Sequence, residues 1–150
     1  MFRFKRFLRG SKGANAVEFA LIAPVFLLLL FGMIEFGLIF SDWLILTNGV
    51  REGARAGVVV NGILDEKRPI VEDAVNNYTG ALGGPDTITL SCLDADGNPD
   101  DTCPSGDSSL MVGATHTRSL ITPIGAFMAW FGGSMGDEVT LSASSEMRNE

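Results

Sequence analysis

The first feature of chemical interest is a glutamate, Glu18, near the start of an apolar stretch that runs from Ala16 to Phe40. Such a stretch is long enough to cross a bilayer, which takes roughly 20 mostly apolar residues. An ionised carboxylate in hydrocarbon costs a few kcal/mol on insertion scales. Glu18 therefore needs a partner of opposite charge, or a place at the membrane interface where the dipole of a helix N-terminus stabilises it.

A second acid, Glu35, lies near the other end of the same stretch. Two interpretations of it stay open. Its carboxylate reaches headgroups or water at the outer boundary of the membrane, or it contacts another subunit.

The chain has two cysteines, Cys92 and Cys103, which are eleven residues apart. In an oxidising, extracytoplasmic compartment they are predicted to form a disulfide. Closing a loop of this size stabilises a protein by roughly 3 kcal/mol in the chain-entropy model. Reduced structural cysteines are the alternative.

The loop between the cysteines carries oxygen-bearing side chains at every second position, namely Asp94, Asp96, Asn98 and Asp100. This pattern resembles the start of an EF-hand calcium loop. However, Pro99 stands where an EF-hand needs glycine, and Ser105 stands where it needs glutamate. We therefore predict a solvated acidic turn, and no metal or cofactor is expected.

Few residues of the sequence suggest catalysis. His116 is the only histidine, and neither a phosphate-binding loop nor a histidine pair is present. We therefore expect neither an enzyme nor a binder of small-molecule substrates.

Charge distribution predicts the topology. Five of the eleven basic residues lie within the first twelve positions, ahead of the apolar stretch. The positive-inside rule keeps this end cytoplasmic and sends the rest of the chain across the membrane. A cleaved secretory signal is the alternative, but its apolar core would be shorter, and Ser41-Asp42-Trp43 does not resemble its cleavage site. The chain is therefore predicted to be a single-pass protein with its C-terminal domain outside.

The outer part of the chain is acidic. The net charge is −7, and residues 14–150 hold eighteen acidic against six basic residues, which gives −12. This balance argues against nucleic acid and anionic lipid as partners.

The periodicity of the sequence predicts an α+β protein with three parts: residues 1–13 as a basic leader, 14–58 as a transmembrane helix that extends beyond the membrane, and 59–150 as an extracytoplasmic domain. Pro69 to Tyr78 is predicted to be a short helix. Three stretches alternate as antiparallel strands do, at 87–93, 110–119 and 138–147. Leu120 to Phe131 is apolar and fits a short helix or a segment lying on a surface.

Three motifs together resemble the TadE-like family, which are pseudopilins of the tight-adherence (Flp-type) pilus system. They are GANAVEFALIAP at 13–24, GMIEFG at 32–37 and LTNGVREGAR at 46–55. The resemblance implies a pilin-like fold and a bacterial inner-membrane location. It also implies partnership with other pilins or pseudopilins and with pilus assembly proteins.

Processing is the second implication of the resemblance. A prepilin peptidase would cut between Gly13 and Ala14 on the cytoplasmic side, five residues before Glu18. Cleavage after Gly10 is the alternative, but the residue five positions later is then Asn15 rather than an acid. The family motif further implies that Glu18, Phe19 and Glu35 are assembly or recognition residues. The Ala14 amine of one subunit would pair with Glu18 of a neighbour.

The sequence thus predicts a minor pseudopilin-like subunit of a tight-adherence pilus assembly apparatus. The alternative is a single-pass, membrane-anchored interaction module that is unrelated to pili. Its leader would remain uncut.

Overall fold

A computed structural model of the chain describes residues 11–103, 106, 108–123, 125, 129 and 138–148. Its elements are helix α1 (Ser11–Val59), helix α2 (Leu64–Thr79), a single 3-10 turn (Gly80–Leu82) and strands β1 (Thr87–Leu93), β2 (Ser109–Ser119) and β3 (Glu138–Arg148). The chain divides into two units. One contains residues 1–37 with 120–136, and the other contains residues 38–119 with 137–150.

Helix α1 is a single element of 49 residues. Its length confirms the predicted long helix, although it begins at Ser11 rather than near Ala14. Most of the predicted leader, residues 1–10, lies outside the described residues. Pro24 has no N–H to donate, yet it lies within the helix without ending it. Within the described part of the chain, α1 is the one helix long and apolar enough to cross a membrane.

The apolar side chains of the first half of α1 are exposed. Phe19, Leu21, Met33 and Phe36 each expose about 70% of their surface. A helix that is apolar all round and unburied is typical of a membrane span. The structure is thus consistent with a single-pass membrane anchor.

The second half of α1 packs into a hydrophobic core through Leu46, Val50 and Ala54, which are fully buried. Trp43 and Leu44, which precede these three on the helix, are 40% and 42% exposed. Seven residues are about two helical turns, so Trp43 lies on nearly the same side of the helix as Val50, whereas Leu44 lies on a different side.

Helix α2 begins five residues earlier than the sequence predicts, at Leu64 rather than Pro69. Asp65 and Glu66 occupy its first turn, where acidic side chains interact favourably with the helix dipole. Pro69 lies in the second turn instead of the first, so the carbonyl of Asp65 loses its usual helical donor. The helix ends in the 3-10 turn, after which Gly83 and Gly84 have positive φ angles of 86° and 92°.

The strands form one antiparallel sheet in the order β1-β2-β3. This confirms the predicted α+β class and three-stranded sheet. Side chains on the inner face join the core, and among them are Cys92, Leu110, Val112, Ala114 and Leu141. The opposite face is rich in hydroxyl groups, which come from Thr87, Thr89, Thr115, Thr117, Thr140, Ser142 and Ser144. Of the predicted apolar segment 120–131, the structure describes only 120–123, 125 and 129.

Cys92 and Cys103 form a disulfide, as the sequence predicts, with their Cα atoms 5.4 Å apart. Both residues are buried, at 1% and 3% exposed. Near this bond, the N–H of Leu64 donates to the carbonyl oxygen of Asp101 at 3.1 Å. The disulfide therefore links β1 to the loop that contacts the start of α2.

Candidate functional site

The acidic residues of α1 lie in sharply different environments. Glu18 and Glu52 are on exposed or partly exposed faces, whereas Glu35 and Asp42 are 3% and 6% exposed. Burial of a carboxylate without partners is costly, so the surroundings of each acid indicate its role.

Glu18 is exposed between exposed apolar neighbours, Val17 at 53% and Phe19 at 72%. Among the residues that the structure describes, none forms a hydrogen bond or ion pair with its carboxylate. In a membrane this side chain would face lipid or another protein. Glu18 is thus the acid of α1 whose partner must be sought outside the described chain.

The predicted cleavage bond, between Gly13 and Ala14, lies within α1. A protease must bind its substrate in an accessible backbone conformation, so this first turn has to unwind before cleavage. Glycine lowers that cost, because it is about 1 kcal/mol less favourable than alanine in a helix. Ala14 and Glu18 are four residues apart, which places them on one helical face about 6 Å apart along the axis.

Glu35 has partners within its own chain. Its Oε1 accepts from the N–H of Ile121 at 3.1 Å, and its Oε2 accepts from the N–H of Thr122 at 3.0 Å. The interpretation in which Glu35 reaches water or headgroups is therefore wrong, because the carboxylate is buried against backbone. Contact with another subunit stays a prediction.

Asp42 forms an ion pair with Arg118 at the end of β2. Their side chains are only 9% and 16% exposed. Sequence analysis missed this pair, because 76 residues separate the two. Two signals were available. Asp42 follows Glu35 by two helical turns, and Arg118 lies at an inward position of an alternating strand.

Three glycines form a stripe on α1, at Gly49, Gly53 and Gly57, where the helix contacts α2. A Cβ on Gly49 would lie 2.7 Å from Cγ2 of Thr79, and one on Gly53 would lie 2.5 Å from Cγ2 of Val75. The two helices are therefore too close for any side chain on this stripe. The four-residue spacing of these glycines is the signal in the sequence that indicates such a packing surface.

Lys67 closes the end of α1. Its side chain is fully buried, and its Nζ donates to the carbonyl oxygens of Gly57, at 3.1 Å, and Val60. Helices leave their last carbonyls without partners, and a cation there also interacts favourably with the dipole. Burial lowers the pKa of the Lys67 ammonium. The sequence analysis did not identify this residue.

In the acidic loop, the first carboxylate binds the backbone of the loop itself. Asp94 accepts from the backbone N–H groups of Asp96, at 3.0 Å, and Asn98, at 2.7 Å. These hydrogen bonds hold the pKa of the Asp94 carboxyl below its ordinary value, and the bond from the Asn98 N–H has the largest effect. Within the described residues, no cluster of three or more His, Cys, Asp or Glu side chains could hold a metal ion.

His116 contacts the turn that follows α2. Its Nδ1 lies 3.1 Å from the carbonyl oxygen of Gly84, in the turn after α2. The ring therefore joins β2 to that turn.

Comparison with known proteins gives one match, and it lies within α1. Residues 13–55 match the family model described as TadE-like protein. No curated protein and no solved structure matches the chain. The matched range contains Gly13, Glu18, Glu35, Asp42 and the first two glycines of the stripe. Residues 13–55, a little under a third of the chain, are thus similar to TadE-like proteins, as the sequence motifs predict.

Proposed function

We propose that this chain is a minor pseudopilin-like subunit of a tight-adherence pilus assembly apparatus. It spans the bacterial inner membrane once, with its N-terminus in the cytoplasm and its disulfide-containing domain outside. A prepilin peptidase removes the leader by cutting between Gly13 and Ala14. The family match over α1 supports the system, and the exposed apolar half of that helix supports the membrane location.

The observation that carries the proposal is the contrast between Glu18 and the other acids of α1. Glu35 and Asp42 are buried against partners in the same chain, and Glu52 accepts from Arg55 at 3.0 Å. Glu18 is exposed within an apolar span and has no partner among the described residues. A carboxylate in that position is costly unless another molecule supplies a cation.

Cleavage after Gly13 would create that cation. The new α-amine on Ala14 has an ordinary pKa near 8, so most of it is charged at neutral pH. In an assembly, the amine of one subunit meets Glu18 of its neighbour, and each neutralises a charge that lipid disfavours. Because Ala14 and Glu18 are one helical turn apart, this pairing also fixes the register between subunits.

The N-terminal residue of the mature protein tests the proposal. Protein purified from the membrane fraction of its own cells should begin at Ala14, as determined by intact mass and N-terminal sequencing. A mature chain that still begins at Met1 would contradict processing. It would favour the alternative, a membrane-anchored interaction module unrelated to pili.

A further inference from the structure

We propose that residues 120–123 make a second contact with the membrane, at the outer boundary of the hydrocarbon core, and that Glu35 holds them there. The ligand of this surface is lipid. The inference depends on α1 crossing a bilayer and not on pilus assembly, so it goes beyond the function proposed above.

The contact itself is built from a carboxylate and two consecutive backbone amides. Both oxygens of Glu35 are used, one by Ile121 at 3.1 Å and the other by Thr122 at 3.0 Å. Hydrogen bonds to an ionised acceptor are roughly twice as strong as neutral ones. Glu35 is 3% exposed, so water does not compete for these bonds.

The depth of Glu35 along α1 follows from helix geometry. Seventeen residues separate it from Glu18, which is about 26 Å at about 1.5 Å per residue. A hydrocarbon core is about 30 Å thick. When Glu18 lies at the inner boundary, Glu35 therefore lies close to the outer one, and the backbone it binds lies at the same depth.

Lipid at that depth explains why the contact has this form. Hydrocarbon satisfies neither a carboxylate nor a backbone N–H, and each unsatisfied group costs several kcal/mol. Glu35 and the amides of Ile121 and Thr122 satisfy one another. The carboxylate and these two amides can thus lie in the boundary region as a paired set.

The side chains of the segment agree with a lipid contact. Ile121 is 70% exposed although it is a large apolar residue, and the segment Leu120 to Pro123 carries no charge. Beside Glu35 on the helix, Ile34 and Phe36 are also exposed, at 47% and 69%. An acidic surface would be repelled by anionic lipid, whereas this uncharged segment is suited to the acyl boundary.

Spin labelling of Ile121→Cys tests the proposal. Both native cysteines are in the disulfide, so the new thiol is the one labelled. The full chain is reconstituted in phosphatidylcholine vesicles, and collision of the label with oxygen is compared with collision with a water-soluble nickel chelate. Oxygen collision should exceed chelate collision at position 121. A label at exposed Ser144, on the outer face of β3, serves as the matched control and should favour the chelate.

A second variant separates the role of Glu35 from a general membrane contact. In Glu35→Ala, the label at position 121 should shift towards the chelate, and in Glu35→Gln the shift should be smaller, because one acceptor oxygen remains. An intact Cys92–Cys103 bond reports that the domain has folded. Should Glu35→Ala fail to insert, the label in the otherwise native chain still decides whether position 121 lies in lipid.

Two results would overturn the proposal. One is a label at 121 that meets the chelate as freely as the label at 144. The other is dipolar line broadening at 121 that disappears when labelled protein is diluted with unlabelled protein, which would assign this surface to a second copy of the chain.

Discussion

Nζ of Lys67 lies 3.1 Å from the carbonyl oxygen of Gly57 and donates a hydrogen bond to it. This contact joins the beginning of α2 to the end of α1. The lysine side chain is fully buried, and its ammonium donates to the carbonyl oxygens of Gly57 and Val60. The site therefore acts as a C-terminal cap supplied by a neighbouring helix.

Lys67→Met should destabilise the domain by about 1–3 kcal/mol, because the carbonyls of Gly57 and Val60 lose a buried donor while the packing volume is kept. Denaturant unfolding of the full chain in detergent, followed by Trp43 and Trp130 fluorescence, measures the change. Arg68→Met is the control. Arg68 pairs with Glu72 at 3.6 Å on the surface, where such pairs contribute roughly 0–1 kcal/mol. Equal losses in the two variants would argue against the cap.

The same lysine predicts a pH dependence. Burial lowers the pKa of Lys67 in the folded protein below its ordinary value of 10.5. Between those two pKa values the unfolded chain binds more protons, so the free energy of unfolding should rise with pH because of this group. Lys67→Met should remove that rise. Unfolding curves at a series of alkaline pH values, taken as the difference between the native protein and the variant, measure it. A difference that stays constant across the series would contradict the prediction.

Gly53→Ala should destabilise the contact between α1 and α2. Its Cβ would lie 2.5 Å from Cγ2 of Val75 and 3.2 Å from Cγ1 of Val71. Overpacking of this kind costs typically 1–3 kcal/mol, which outweighs the gain of up to about 1 kcal/mol in helix propensity. Gly80→Ala is the matched control, since a Cβ there meets no atom within 4 Å. Thermal unfolding should show a lower midpoint for Gly53→Ala and no loss for Gly80→Ala.

Gly13→Leu should leave the precursor uncut, because a bulky side chain before the bond prevents close approach of the peptidase to the backbone. Insertion should be normal, since the basic leader and the apolar stretch are unchanged. Intact mass spectrometry of the membrane fraction distinguishes the precursor from the mature chain. A Gly13→Leu protein that still begins at Ala14 would remove Gly13 from the cleavage site.

Glu18→Ala should permit insertion and at least partial cleavage, yet prevent assembly, because the neighbour's Ala14 amine loses its counter-charge in lipid. Glu18→Asp should be intermediate, since it keeps the charge on a shorter side chain. Processed protein in the membrane and pilus material outside the cell are measured together. Glu52→Ala, which alters an exposed surface pair on the same helix, should leave assembly unchanged. Normal piliation with Glu18→Ala would leave Glu18 as an acid at the start of a helix.

Sequence patterns predicted the elements of this fold well. Alternation located β1 at Thr87–Leu93, and located β2 and β3 to within one residue at an end. Hydropathy located α1. These signals are local, because each helix or strand shows its own periodic spacing of apolar residues. The start of α2 was less predictable, since the pattern gave Pro69 the position in the first helical turn that proline usually takes.

Partners of the buried charges were not predictable in the same way. Glu35 contacts Ile121, 86 residues away, through a backbone amide that has no signature in the sequence. Arg118 contacts Asp42 across 76 residues. A single sequence records that a charge is present but not which distant group neutralises it. The acidic turn was easier to predict from the sequence, because Asp94 accepts hydrogen bonds from residues only two and four positions later.

The glycine stripe on α1 has a consequence for how the two helices find their alignment. The glycines recur every four residues and lie against Val71, Val75 and Thr79 on α2. If α2 moved along α1 by one helical turn, about 5.4 Å, most of these contacts would be replaced by nearly equivalent ones. Sliding in one direction would bring Thr79 against Ile45, which has a side chain where the stripe has none. In the other direction the glycines offer no obstacle, but Lys67 would then lie beyond the final carbonyls of α1. The glycines permit the close approach of the two helices, and Ile45 at one end with Lys67 at the other limits them to a single alignment.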